Sequence, residues 1–320
     1  MEKKTYGAYR LLMDWKTSGD GYIVVASKED RAYLLRQYRS HILPDEAKAQ
    51  RMPRLYPRLK KEFEDFMAHR IAVNTALAGT KDEGSVNYPT DWFVCENRFI
   101  EASPFLPNVM DGDDIEKLPI QDIYFIMKEA AKALSAIHRC KVAHGNLNYR
   151  NIVAMKGYYY GSPKKYLVKI TDFSGSFPDG ELPPVDALGC SQQVMSPELA
   201  ECFITDFHKS ALAKLSMQTD IFSLATVFYR YLTGKPYPTY RDLPDFLEKR
   251  EYVYPGEALY CGGKIVLERE DLKEDYIVRL LANMLHPDPK KRPTAQEVVE
   301  VLEEGSIISL PDCDSIITEF

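Results

Sequence analysis

Cysteine is scarce and unpatterned in this 320-residue chain: six residues, at 95, 140, 190, 202, 261 and 313, form no C-x-x-C pair. That argues against zinc and against a disulfide framework, and it suits a reducing, cytoplasmic setting. No apolar run approaches the length a membrane span needs. The opening residues M-E-K-K-T-Y-G lack the apolar stretch of a signal peptide. Positive charge is not in excess: 41 Lys and Arg against 47 Asp and Glu give a formal net charge of -6 at pH 7. Neither nucleic acid nor an anionic membrane is expected as a partner on that balance. Internal repeats and low-complexity stretches are missing as well. What remains is an ordinary globular mixture, 45% hydrophobic and 28% charged, in a chain long enough for two lobes with real cores.

The first forty residues read as a β-meander, with strands over 9–15, 22–27 and 32–38. Turn residues S-G-D-G and K-E-D-R separate them. Residues 41–57 are basic and punctuated by proline, and read as a loop. A helix follows over 58–77, its rough apolar stripe carried by Leu59, Phe63, Phe66, Ile71 and Leu77. After a polar loop at 79–90, strands over 92–95 and 98–105 flank a tight E-N-R turn. Five strands and one helix make a small N-terminal lobe.

Beyond residue 109 the pattern is helical. Ile120, Ile123, Ile126, Met127, Ala130, Leu134 and Ile137 recur at helical spacing. A strand over 166–171 leads to a Pro- and Gly-rich loop reaching Val194. Helices are expected over 219–232, 271–285 and 294–303, with Gly234 as a helix stop. Residues 306–320 show no periodicity and read as a tail or a docked arm. The G-K-P at 234–236 lacks the glycine spacing of a P-loop. The run Tyr158–Tyr160 reads as a hairpin tip or as packing in the strand before 170.

Two stretches carry the chemistry. Residues 143–152 read A-H-G-N-L-N-Y-R-N-I, and residues 170–174 read I-T-D-F-S. Their order and spacing resemble the catalytic loop and the D-F-G metal loop of the protein kinase family. S-P-E at 196–198, T-D-I-F-S-L at 219–224 and H-P-D-P-K-K-R-P-T at 286–294 resemble further motifs of that family in its order. The resemblance extends over about residues 9–302. It implies an α+β, bilobal, protein-kinase-like fold: an N-lobe over 1–103, a mainly helical C-lobe over 104–305 and a tail over 306–320. It also implies a buried ion pair between Glu198 and Arg292, with His144 and Asp220 in structural roles.

Function has to come from the site rather than the fold. The resemblance implies ATP and Mg²⁺ as ligands. Asn151 matches the catalytic-loop asparagine and Asp172 the metal-loop aspartate, both metal ligands in the family. Of the glycine loop only the middle glycine, Gly19, survives, with Gly21 beside it; Thr17 and Tyr22 replace the other two, and Asp20 would repel phosphate. Arg36 stands where the family keeps a strand lysine, and a salt bridge to Glu62 or Glu64 is expected for it. Glu101 and Ser103 fall among the nucleotide-contacting positions. Ser174 replaces the glycine of D-F-G, a change expected to restrict loop switching.

The proton chemistry is what is missing. Asn146 holds the position of the catalytic base, and an amide takes no proton at neutral pH. Asn148 holds the position of the transfer lysine. Gly145 replaces the arginine that reads activation-loop phosphorylation, and Ser191 reads as a turn residue. The expectation is a pseudokinase that binds ATP and Mg²⁺, transfers phosphate weakly or not at all, and serves a protein partner as a regulatory or scaffold module. Two alternatives stay open: an active, unconventional Ser/Thr kinase, and another ATP-dependent reaction such as nucleotidyl transfer on the same scaffold.

Overall fold

The structure, a computed structural model, describes residues 4–19, 21–157, 161–185, 188, 191–268, 270–306 and 308–319. Asp20 and Tyr158–Tyr160, both assigned roles on sequence grounds, lie outside them. The chain divides into two compact units, one formed by residues 1–79 and 87–107 and the other by residues 80–86 and 108–320.

The first unit is an antiparallel sheet with one long helix. Its strands are β1 (Thr5–Tyr6), β2 (Tyr9–Leu11), β3 (Lys16–Ser18), β4 (Gly21–Lys28) and β5 (Arg31–Ile42). A six-residue helix α1 (Glu46–Arg51) and the 22-residue α2 (Tyr56–Leu77) follow. After the two-residue strand β6 (Val86–Asn87), strands β7 (Asp91–Cys95) and β8 (Arg98–Pro104) complete the unit. The sheet runs β1-β2-β4-β5-β8-β7, with β3 paired to β4 beside that path, giving seven strands where five were expected. The difference lies at the start. Of residues 9–15 only 9–11 form a strand, β2; an irregular joint over 12–15 leads to β3, and Thr5–Tyr6 folds back on β2.

Two apolar layers hold the unit together. Tyr6, Tyr9, Val24, Leu35 and Ile100 fill one face of the sheet. Tyr38, Phe63, Phe66 and Phe99 join the other face to α2. The stripe of α2 is real but contains polar members: its buried residues are Phe63, Phe66, Arg70, Val73, Asn74 and Leu77. Pro57 sits in its first turn, where proline costs no hydrogen bond.

The second unit is mainly helical. Its helices are α3 (Gly112–Ile115), α4 (Ile120–Arg139), α5 (Pro197–Ile204), α6 (Lys209–Leu212), α7 (Met217–Thr233), α8 (Asp245–Glu248), α9 (Pro255–Tyr260), α10 (Asp275–Met284) and α11 (Ala295–Glu304). Capping fixes the starts of two of them: Ser216 with Thr219 opens α7, and Thr294 with Glu297 opens α11. Both end on a left-handed glycine, Gly234 and Gly305. Twelve of the seventeen residues of α7 are buried, so this helix is the axis on which the candidate loops hang.

Short sheets complete the unit. Strand β9 (Val142–Ala143) pairs with β12 (Phe177–Pro178). Strand β10 (Ile152–Lys156) pairs with β11 (Tyr166–Thr171), which β6 extends. The residues beyond 306 do dock: β15 (Ile316–Thr318) lies parallel to β14 (Lys264–Leu267), itself paired with β13 (Thr239–Arg241). No helix among the described residues is long and apolar enough to cross a membrane.

Candidate functional site

In the second unit, the loop after β9 is suspended from α7. Asp220, in the first turn of α7, accepts the backbone N–H of His144 (2.7 Å) on one carboxylate oxygen and that of Gly145 (2.9 Å) on the other. His138 Nε2 lies 3.0 Å from the same carboxylate. One buried side chain thus orients the entrance to the loop.

His144 is wholly buried, and its ring is satisfied at both nitrogens. The Thr171 carbonyl, 3.0 Å from Nε2, can only accept, so Nε2 carries the hydrogen. Nδ1 accepts the Asn146 N–H at 3.3 Å. Burial holds this imidazole below its ordinary titration range. The ring also lies 4.9 Å from that of Phe173. A neutral histidine tied to the strand before Asp172 is a structural strut.

The three asparagines form one hydrogen-bonded cluster. Asn148 Nδ2 donates to the Asn146 carbonyl (2.9 Å) and lies 3.3 Å from Asn146 Oδ1. Asn148 Oδ1 accepts the Arg150 N–H at 2.9 Å. Asn151 Nδ2 donates to the same Asn146 carbonyl at 2.8 Å, which leaves its Oδ1 as the atom able to face a cation. Ser191, expected as a plain turn residue, donates its backbone N–H to Asn146 Oδ1 at 3.2 Å.

Asp172 is brought to this cluster by the backbone. The Thr171 N–H donates to the Asn151 carbonyl at 2.9 Å. Asp172 itself adopts a left-handed φ of 61°. Its Oδ1 accepts the Ser174 hydroxyl at 2.8 Å. The residue replacing the family's glycine therefore clamps the metal-loop carboxylate, which the sequence alone did not reveal. Ser176 ties back to the His144 carbonyl at 2.9 Å. Gly145 fits where a side chain would not: its φ is +72°, and a Cβ would meet the Gly175 carbonyl oxygen at 2.3 Å.

Glu198 and Arg292 lie together in the same unit. The guanidinium donates both terminal nitrogens to the carboxylate, at 2.7 and 2.8 Å. It also reaches the His286 and Gln218 carbonyls and stacks over Phe222. This bidentate pair fixes the start of α5.

In the first unit the expected charge arrangement is corrected. Glu62 and Glu64 do not face the sheet. They pair with Arg58 and Lys60 one turn back, on the exposed side of α2. The charged residue α2 turns inward is Arg70, at 0% exposure, and its partner is Glu101 on β8, at 2%. Glu101 also accepts the Asn74 amide (2.7 Å) and the Tyr38 hydroxyl (2.5 Å). The sheet–helix ion pair is inverted: the cation stands on the helix and the anion on the strand. The Glu101 carboxylate, expected beside a nucleotide, is committed to this junction.

Arg36 lies on β5 directly opposite Glu101 in register, and Ser103 opposite Leu34. Gly19 lies in the turn between the paired residues Ser18 and Gly21. Gly21 has a packing reason of its own, since a Cβ there would meet the Gln37 carbonyl oxygen at 2.2 Å.

Residues 105–301 match the protein kinase domain family model. A calcium and calcium/calmodulin-dependent serine/threonine-protein kinase of Lilium longiflorum is 24% identical over 195 residues, 59% of this chain and 33% of that protein. A Wee1-like protein kinase of Arabidopsis thaliana is 25% identical over 224 residues, 68% of this chain and 37% of that protein. The chain thus spans about a third of the length of the curated relatives it matches. Among solved structures, the Mycobacterium tuberculosis PknI kinase domain superposes with a TM-score of 0.58 at 16% identity, covering 96% of this chain and 99% of that one. The Cydia pomonella granulovirus kinase PK-1 gives 0.58 at 13% identity over 92% of this chain and 94% of that one.

Proposed function

This chain belongs to the protein kinase family, and on that premise we propose that it is a pseudokinase: a module that binds ATP with Mg²⁺, transfers phosphate weakly or not at all, and regulates or scaffolds a protein partner. One observation carries the reading. Asn146 stands at the base position with its amide oxygen engaged by the Ser191 N–H. An amide has no proton-accepting state at neutral pH. General-base catalysis is worth roughly 10²–10⁴ in rate. Asn148 adds the loss of a positive charge near the transferred phosphoryl, and its amide is folded back onto Asn146.

The binding half of the reading rests on Asn151 and Asp172. Asn151 Oδ1 and the Asp172 carboxylate are hard oxygen donors of the kind Mg²⁺ prefers. When bound, the metal would neutralise phosphate charge. Ser174 holds the Asp172 carboxylate in one orientation, favouring a fixed ligand over a switching loop.

Retention of Asn151 and Asp172 also favours a second reading, an active, unconventional Ser/Thr kinase, because phosphoryl transfer passes through a loose transition state in which the base is not indispensable. Binding is tested by thermal shift with ATP and Mg²⁺. Ligand at 100 times its dissociation constant stabilises by roughly 2.7 kcal/mol. No shift, with or without metal, removes nucleotide binding from the proposal.

A further inference from the structure

The first unit carries a strap that is anchored at both ends and bare in between. At one end Leu43 packs on the Tyr38–Phe63–Phe66–Phe99 cluster, and its N–H donates to the Asn97 carbonyl at 2.8 Å. At the other end Phe63 enters the same cluster. From Asp45 to Glu62 no residue is buried. Helix α1 lies wholly within this stretch and buries nothing. A helix of this length has little stability of its own in water; the cap from Asp45 to the Lys48 N–H (2.8 Å) is its visible local support.

Past Asp45 and Glu46 at its start, the strap is one-sided in charge. Lys48, Arg51, Arg54, Arg58, Lys60 and Lys61 are six cations with no acidic residue between 48 and 61. Arg58, Lys60 and Lys61 are answered by Glu62, Glu64 and Asp65 one turn on. Lys48, Arg51 and Arg54 have no ion-pair partner among the described residues. Between them stand apolar side chains turned to solvent: Met52 is 52% exposed and Leu55 37%.

We propose that residues 48–61 are a docking surface for an anionic lipid bilayer. Unpaired cations alternating with exposed Met52 and Leu55 match a headgroup layer, where cations meet phosphates and short apolar side chains enter the interface. Charge complementarity selects an anionic surface. The choice of bilayer over folded protein follows from shape. Pro53 stands between α1 and α2, so the strap presents no long regular face. A protein partner would ask for a complementary contoured patch of about 800 Å²; a bilayer does not. The net charge of -6 is no obstacle, because salt screens exposed charges beyond about 8 Å. The cations nearest the surface decide.

Vesicle co-sedimentation of the full chain tests this. The chain is expected to sediment with phosphatidylserine-containing vesicles, to stay in solution with pure phosphatidylcholine, and to be released by added salt. Each cation is worth roughly fivefold in partitioning, so Lys48→Ala/Arg51→Ala/Arg54→Ala is expected to weaken binding about a hundredfold. Met52→Ser/Leu55→Ser should weaken it while leaving the salt dependence in place. All five side chains lie outside the core, so both variants should melt like the parent, and circular dichroism checks that they do. Equal sedimentation with both vesicle types, no sedimentation, an unaffected triple variant, or capture by RNA or poly-glutamate in preference to vesicles would each overturn the proposal.

Discussion

The backbone N–H of Ser191 donates to Oδ1 of Asn146 across 3.2 Å. An N–H can only donate, so the amide oxygen must face it, and the base position is locked as part of a loop-to-loop tie. An aspartate could accept the same bond. Asn146→Asp is therefore expected to melt within about 0.5 kcal/mol of the parent. Combined with Arg36→Lys, it is still expected to give little transfer, because Asn148 supplies no charge to the phosphoryl group. Near-normal turnover in that double variant would show that the missing lysine matters less than argued.

The Arg70–Glu101 pair is buried on both sides, so removing one partner strands a charge. Arg70→Met or Glu101→Gln alone is expected to cost about 3–5 kcal/mol by chemical denaturation. Arg70→Met with Glu101→Leu should cost clearly less than the sum of the singles. Additive losses would mean that the two side chains do not depend on each other.

Restoring an arginine at position 145 is blocked by the backbone. With φ at +72° and the Gly175 carbonyl oxygen 2.3 Å from where a Cβ would stand, even Gly145→Ala is expected to lose roughly 2 kcal/mol or more. A neutral substitution there would show that the loop can relax around a side chain.

Stability should fall on mild acidification. Burial depresses the titration of His144 and of His286 below the ordinary value of 6.5. Above that value both states are neutral and the full stability is present. As pH drops through about 6.5 the unfolded chain takes up protons that the folded one resists, so stability is lost, at up to about 1.4 kcal/mol per pH unit for each histidine. Denaturation midpoints should therefore decline between about pH 7.5 and 5.5, and His144→Gln should flatten the decline. A midpoint that stays constant over that interval would contradict the assignment of buried, neutral rings.

Much of the second unit was legible because its signals are local. Gly234 stops a helix, and the motifs around Asn151, Asp172, Glu198 and Arg292 arrive in a fixed order. The first unit was less legible, for a physical reason. Its decisive contact joins Arg70 on a helix to Glu101 on a strand 31 residues later, and no local pattern announces such a pair. A signal did exist: Arg70 falls four residues after Phe66 and three before Val73, in the buried phase of α2, where an unpaired charge could not stay. The Ser174–Asp172 and Ser191–Asn146 bonds were invisible because serine is at home in turns with or without a partner.

The measurement that bears most directly on the central claim is radiolabelled phosphate transfer from ATP by the purified chain with Mg²⁺, run beside Asp172→Ala. The account predicts incorporation at background, indistinguishable between the two proteins, while ATP and Mg²⁺ still raise the melting temperature of the parent. Turnover well above background that disappears in Asp172→Ala would contradict it.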